Sequence, residues 1–133
     1  MESNEVRIVV IDDVCDVADA IAMQLTLDGY KVETAYSVEQ AIPCIEANQP
    51  HCVLLDIAMP ELDGHALAQM LRHRFKDTMV LVAVTGSAAS EARVKDTMAL
   101  VDHYFQKPVD IAALRKILPP LTTRSPQVGV RAA

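Results

Sequence analysis

Five short strand-forming runs, separated by segments with helical spacing, are the feature that most constrains how this 133-residue chain folds. Most of the runs are rich in Val, Ile and Leu, as expected of strands buried on both faces. The predicted strands cover residues 6–11, 31–36, 52–55, 79–84 and 104–105. Because parallel strands are joined by crossover helices, this alternation predicts a doubly wound α/β fold, with a five-stranded parallel sheet and helices on both faces.

The first two segments between strands carry clear helix boundaries. Within residues 14–27 the apolar side chains at helical spacing, expected on the inner face of a helix, are Val14, Val17, Ile21 and Leu25. Gly29 follows where a left-handed residue is needed to end the helix. The next helix begins after Ser37, with Gln40 three residues later in a capping box, and extends to about Ala47. Pro43 lies inside it and removes one backbone hydrogen bond, so a kink is expected there.

Three further helices are predicted along the chain. The third packs Leu67, Met70 and Leu71 on one side, and the fourth covers about residues 90–100. A last helix carries apolar residues at positions 111, 114, 117 and 118. From Pro119 onward no apolar period remains, so we predict one domain over residues 1–120 and a disordered tail over 121–133.

Composition narrows the class of protein. The formal charge of −6 argues against a general nucleic-acid-binding surface, which needs a concentrated basic face. No apolar run approaches the roughly 20 residues that span a bilayer, so membrane insertion is not expected. Cys15, Cys44 and Cys52 lack CxxC spacing and lie in apolar stretches, which favours reduced core thiols and a cytoplasmic location. The four histidines have no metal-ligand spacing and are predicted on the surface or in loops.

Polar residues follow the strands at their carboxyl ends, where functional groups of open parallel sheets gather. Asp12 and Asp13 follow the first strand, Asp56 the third, Thr85 the fourth and Lys107 the fifth. Three carboxylates repel strongly at close range, by roughly 4 kcal/mol per pair at 4 Å and an effective dielectric of about 20. A bound cation is therefore expected, and oxygen ligands favour Mg²⁺.

The same residues suggest how a phosphoryl group would be handled. The candidate metal ligands are Asp12, Asp13, Asp56 and the backbone carbonyl of Ala58. Lys107, the Thr85 hydroxyl and backbone amides near Ala58 and Gly86 would neutralise charge on a transferring group. A carboxylate nucleophile in such a pocket predicts an aspartyl-phosphate on Asp56.

The chain resembles the response-regulator receiver family over about residues 5–118. The matching motifs are Asp12-Asp13, the run from Leu54 through Asp56 to Gly64, Thr85-Gly86 and Lys107-Pro108, in the family's order and spacing. The resemblance implies a CheY-like, flavodoxin-like sheet of order 2-1-3-4-5. It also implies Mg²⁺-dependent phosphorylation of Asp56 by a histidine kinase or a histidine phosphotransfer protein.

The same resemblance implies a conformational switch on phosphorylation. It implies that Thr85 moves toward the phosphoryl group, that Tyr104 turns inward, and that the surface of the fourth helix, fifth strand and fifth helix changes for a downstream protein target or a second copy of the chain. Two departures stand out. The segment 99–103 lacks the Gly-Ala turn common in the family, and Ala58 offers no bulk over the pocket, which predicts ready access of water to the acyl phosphate.

Other functions fit the sequence less well. A Mg²⁺-dependent phosphohydrolase with an aspartate nucleophile typically has a second acid two residues later, where this chain has Ala58. A dinucleotide-binding module would need GxGxxG after the first strand, and none is present. An interaction domain that works without phosphorylation would not need all of the motif residues. The context stays open between a free-standing regulator, a phosphorelay intermediate and a receiver taken from a hybrid sensor kinase.

Overall fold

The structure, a computed structural model, describes residues 6–56, 64–76, 78–85, 99–106 and 109–118. The side chains of residues 64, 65 and 85 are not among those described. The helix predicted over residues 90–100 and the tail predicted over 121–133 therefore lie outside the described residues, except for Ala99 and Leu100.

The described residues form five strands and four helices, which alternate along the chain except between the fourth and fifth strands. The strands are β1 (Arg7–Ile11), β2 (Lys31–Ala35), β3 (Cys52–Asp56), β4 (Val80–Thr85) and β5 (His103–Gln106). The helices are α1 (Cys15–Leu27), α2 (Val38–Asn48), α3 (Gly64–Phe75) and a C-terminal helix (Ile111–Ile117). The sheet has the order β2-β1-β3-β4-β5 with every neighbouring pair parallel, which confirms the predicted fold.

Alternating strand residues build two cores, one on each face of the sheet. On one face Val9, Leu55 and Leu81 pack with α2 and α3. On the other face Ile8, Leu54 and Val82 pack with α1, with Leu114 of the C-terminal helix and with Leu118 just after it, and both leucines are buried. The central strand β3 is buried at all five positions, as expected of a parallel strand covered on both sides.

Local signals near the helix ends behave as predicted, with one difference. Gly29 has φ 109°, a left-handed value that costs other residues more than glycine. The Ser37 hydroxyl accepts a hydrogen bond from the Gln40 amide at 3.2 Å. The Gln40 side-chain oxygen in turn accepts a hydrogen bond from the amide of Tyr36 at 2.9 Å, one residue earlier than in the usual capping box. Helix α2 continues through Pro43 and ends at Asn48.

Three expectations about burial were wrong. Val14, predicted on the inner face of the first helix, is 48% exposed because that helix begins one residue later, at Cys15, and buries Ala18 instead. Met70 is 45% exposed, and Ala68 takes the buried place beside Leu67 and Leu71. Cys15 is exposed, whereas Cys44 is half-buried and Cys52 is buried.

None of the helices in the described part of the chain is long and apolar enough to cross a membrane.

Candidate functional site

Adjacent parallel strands bring Asp12, Asp13 and Asp56 together. Asp56 is the last residue of β3, and Ile11 at the end of β1 pairs with Leu55. Asp12 continues the β1 direction for one residue, since its amide donates to the Ala35 carbonyl at 3.1 Å. Each of the three acids contributes a carboxylate oxygen, and these oxygens lie within 4.8 Å of one another. The convergence predicted from the motif positions is therefore present for these residues.

Burial distinguishes the three acids. Asp12 and Asp56 are only 2% and 4% exposed, whereas Asp13 is partly exposed. One carboxylate oxygen of Asp12 accepts a hydrogen bond from the Val14 amide at 3.0 Å, which fixes Asp12 at the start of α1. Asp13 is consequently the acid of the cluster that lies closest to solvent, and the sequence pair Asp12-Asp13 did not reveal this difference.

The acidic cluster fits a hard divalent cation. Three oxygen ligands from side chains, with Asp13 open to solvent for water ligands, suit Mg²⁺ or Ca²⁺ better than zinc. Oxygens bound to one octahedral Mg²⁺ at about 2.1 Å lie about 3.0 to 4.2 Å apart, so the three carboxylates, now within 4.8 Å of one another, would draw closer around the ion. Buried carboxylates at this separation also repel each other, and a cation would remove that cost.

The ends of β4 and β5 lie side by side at the same edge of the sheet. Thr85 ends β4 and pairs with Gln106, the last residue of β5, and Lys107 follows in the sequence. Tyr104 pairs with Ala83 and is partly buried against the core shared with α2 and α3. The Thr85 side chain and residues Ala58, Gly86 and Lys107 lie outside the described set, so their predicted roles stay predictions.

Sequence reasoning missed a second polar group at this edge, next to β2. The Tyr36 hydroxyl donates to Asp19 of α1 at 2.6 Å and accepts from the Thr34 hydroxyl at 3.1 Å. The hydrogen bond to Asp19 raises the pKa of Tyr36 above its ordinary value, since the carboxylate favours the protonated phenol. The pairing joins α1 to β2 across 17 residues, and no short motif indicates it.

The strand order and the acidic cluster are those of a receiver-type α/β domain, and comparison with known families agrees. The family model described as "Response regulator receiver domain" matches residues 8–119, so the chain belongs to the response-regulator receiver family. Response regulator MprA of Mycobacterium sp. (strain KMS) is 36% identical over 125 residues, covering 93% of this chain and 54% of the relative. MprA of Mycolicibacterium vanbaalenii is 36% identical over 109 residues, covering 82% of this chain and 47% of the relative. The chain thus spans about half the length of the curated relatives it matches.

Solved structures show the same fold. A CheY-like receiver domain protein from Methanospirillum hungatei JF-1 has a TM-score of 0.76 and 28% identity, covering 84% of this chain and 89% of that chain. A response regulator from Burkholderia pseudomallei, whose crystal structure contains a phosphorylated aspartic acid, a calcium ion and citrate, has a TM-score of 0.77 and 22% identity. It covers 86% of this chain and 67% of that chain, and at this identity it shows the fold alone.

Proposed function

We propose that Asp56 accepts a phosphoryl group from a histidine kinase or a histidine phosphotransfer protein, and that Mg²⁺ is required. The observation that carries the proposal is the position of Asp56: it ends the central strand, is 4% exposed, and has a carboxylate oxygen within 4.8 Å of those of two other acids. The phosphorylated aspartic acid and the calcium ion in the Burkholderia pseudomallei regulator add support by analogy of fold.

Phosphoryl transfer needs few groups from this chain. A carboxylate oxygen of Asp56 attacks phosphorus, an O–P bond forms, and the P–N bond to the donor imidazole breaks with its electron pair returning to nitrogen. The imidazole nitrogen then takes a proton from water, so charge and atoms balance. Lys107, the Thr85 hydroxyl and the amides of Ala58 and Gly86 are proposed to hold the phosphoryl oxygens.

Asp12, Asp13, Asp56 and the Ala58 carbonyl are the residues proposed to hold the metal. When bound, Mg²⁺ neutralises negative charge on the phosphoryl oxygens and on the acids themselves. Burial of Asp12 and Asp56 excludes bulk water from one side of the cluster, which strengthens the electrostatic interactions there.

The output is proposed to be a change of surface rather than a released product. A phosphate on Asp56 adds a charge of about −1.5 to −2 next to the end of β4, where Asp56 pairs with Val84 and Thr85 follows. Thr85 and Tyr104 are proposed to respond, altering the surface formed by the segment 90–100, β5 and the C-terminal helix for a downstream protein or a second copy of the chain. A cytoplasmic location fits this proposal.

The kind of protein in which this domain works is proposed separately, because the curated relatives are about twice as long as the region that matches them. We propose a receiver module that works through protein contacts, either in a regulator, in a phosphorelay or as part of a hybrid sensor kinase. One structural neighbour is described as the receiver domain of a DNA-binding response regulator from Colwellia psychrerythraea (25% identity). The prediction of no direct nucleic-acid contact therefore concerns this domain alone.

Mass spectrometry after treatment with acetyl phosphate and Mg²⁺ tests the proposal. The wild type should gain the mass of one phosphoryl group, and Asp56→Asn should gain none. Asp16→Asn is the matched control, because Asp16 lies exposed in the first turn of α1, close in sequence to the acidic pair. An equal gain in the wild type and Asp56→Asn, or no gain in the wild type even with a kinase donor, would overturn the assignment.

A further inference from the structure

Arg72, near the end of α3, joins three segments of the chain. Its Nε donates to the Leu100 carbonyl at 2.6 Å, and one terminal nitrogen donates to the carbonyls of Lys76 and Met79 at 2.9 and 3.4 Å. The other terminal nitrogen binds a carboxylate oxygen of Asp102 at 2.5 Å. The guanidinium thus contacts the end of α3, the residue before β4 and the connection into β5.

Asp102 lies directly before β5 and is held to β4 by both backbone and side chain. Its amide donates to the Leu81 carbonyl at 2.8 Å, and its carboxylate accepts from the Leu81 amide at 2.8 Å. The next residues, His103 and Val82, are the first Cα partners of the β4–β5 pair. The carboxylate therefore occupies the hydrogen-bonding position that begins the ladder, and it fixes which residue of β5 faces which residue of β4.

Charge and burial make this contact different from an ordinary surface ion pair. The Arg72 side chain is 19% exposed and that of Asp102 is 46% exposed, so the difference lies in the arginine, whose planar fork is mostly buried and makes several hydrogen bonds at once. Partial burial would raise the pKa of Asp102, but the Leu81 amide and the Arg72 guanidinium outweigh it and hold the pKa below its ordinary value. On the same helix, Arg74 pairs with Glu46, but both of those side chains are about half exposed.

We propose that Arg72 and Asp102 are positioning residues for phosphoryl transfer: together they set the register of β5 and so the placement of Tyr104 and Lys107 relative to Asp56. This rests on the proposed function. The segment 99–102 contains no glycine to form a tight turn, and the Arg72 contacts to Leu100 and Asp102 hold it in place instead. Lys107 follows Asp102 by five positions in the sequence, so a shift in the register of β5 would displace the lysine relative to Asp56.

Four variants separate positioning from general stability. Arg72→Gln removes the fork, Asp102→Ala removes both side-chain bonds, and Asp102→Asn keeps an oxygen for the Leu81 amide while losing the charge. Arg74→Gln is the matched control on the same helix. For each variant, the rate of phosphorylation at saturating acetyl phosphate, the Mg²⁺ dissociation constant and the thermal midpoint are measured.

Phosphorylation should slow about tenfold in Arg72→Gln and Asp102→Ala and less in Asp102→Asn, since small displacements of catalytic groups cost one to two orders of magnitude in rate. Arg74→Gln should keep the wild-type rate. Mg²⁺ affinity should change less than about twofold in all four, because the acids lie at the carboxyl ends of β1 and β3, whereas Asp102 contacts Leu81 near the start of β4.

Two results would overturn the positioning role. One is a lowered thermal midpoint with a wild-type phosphorylation rate in the folded variant, which would make the contact purely structural. The other is a parallel loss of Mg²⁺ affinity, which would mean that the whole site had been disturbed. A wild type that never takes up phosphate would instead overturn the proposed function, and with it any effect of the Arg72–Asp102 contact on phosphoryl transfer.

Discussion

The carboxylates of Asp12 and Asp56 meet at the ends of two adjacent parallel strands, almost completely removed from solvent. Asp56 ends β3, Asp12 follows β1, and with Asp13 they place three carboxylate oxygens within 4.8 Å of one another. Such an arrangement stores repulsion in the folded state that has no counterpart in the unfolded chain. Stability should therefore depend on a divalent cation and on the charge of each acid.

Asp12→Asn should stabilise the protein when no divalent cation is present. The variant removes one negative charge but keeps an oxygen that can accept from the Val14 amide, so the free energy of unfolding in EDTA should rise by about 1 kcal/mol. Mg²⁺ at 100 times its dissociation constant should stabilise the wild type by about 2.7 kcal/mol, and the variant by less at the same concentration. Urea unfolding with EDTA and with Mg²⁺ measures the effect of the substitution and the stabilisation by the ion, with Asp16→Asn as control. If Asp12→Asn were less stable than the wild type in EDTA, the three carboxylates would not repel one another as proposed.

Asp102 should make stability depend on acid pH. Its pKa in the folded protein is below the ordinary value of 3.8, because the Leu81 amide and the Arg72 guanidinium favour the carboxylate. The stabilisation from the Asp102 carboxylate is thus fully present above the pKa of Asp102 in the unfolded chain. It is lost as pH falls through the lower pKa of the folded protein. Urea unfolding of the wild type and of Asp102→Asn is measured between pH 6 and pH 3. The difference in their free energies of unfolding should be constant near pH 6 and shrink below about pH 4. A difference that grows with acid would show that the pKa of Asp102 is raised instead.

The three cysteines should react at very different rates. Cys15 is exposed, burial raises the pKa of the half-buried Cys44 thiol, and burial raises the pKa of Cys52 to about 12. Because the thiolate is the reactive form, a disulfide reagent at pH 8 should modify Cys15 quickly, Cys44 slowly, and Cys52 only as the protein unfolds. Absorbance of the released thiol follows the reaction. In Cys15→Ser the fast phase should disappear, and its persistence would place another cysteine at the surface.

His51→Ala should destabilise the base of the sheet, opposite the acidic cluster. The Nδ1 atom of His51 accepts a hydrogen bond from the Arg7 amide at 3.0 Å, while the His51 amide donates to the Arg7 carbonyl at 2.8 Å. Losing the side-chain acceptor should lower the free energy of unfolding by about 1 kcal/mol. His73→Ala, at an exposed position of α3, is the control and should change it by less than about 0.5 kcal/mol. Equal effects in chemical denaturation would argue against the His51 contact.

Much of the fold was predictable because its signals are local. The β-branched runs, Gly29 with its positive φ, and the Ser37 cap each act within a few residues, and the structure has them where the sequence analysis placed them. The meeting of Asp12, Asp13 and Asp56 was also predictable, since carboxyl ends of parallel strands share one edge. Those predictions needed only chain order and the period of the apolar residues.

Other features depended on which elements pack together. Val14 and Cys15 lie at the start of α1 and are exposed, while Ala18 and Leu25 are the buried residues of that helix, and apolar spacing alone did not show which residues face the sheet. The Arg72–Asp102 contact joins residues 30 apart.

The sequence by itself determined the order of strands and helices, the family, and the set of acids at one sheet edge, because periodicity and motif spacing are properties of the chain. Only the tertiary structure decided that Asp12 is buried while Asp13 is partly exposed, and that Arg72 reaches Asp102. Those outcomes depend on side chains meeting across the fold, where small rotations of packed helices decide burial and partners.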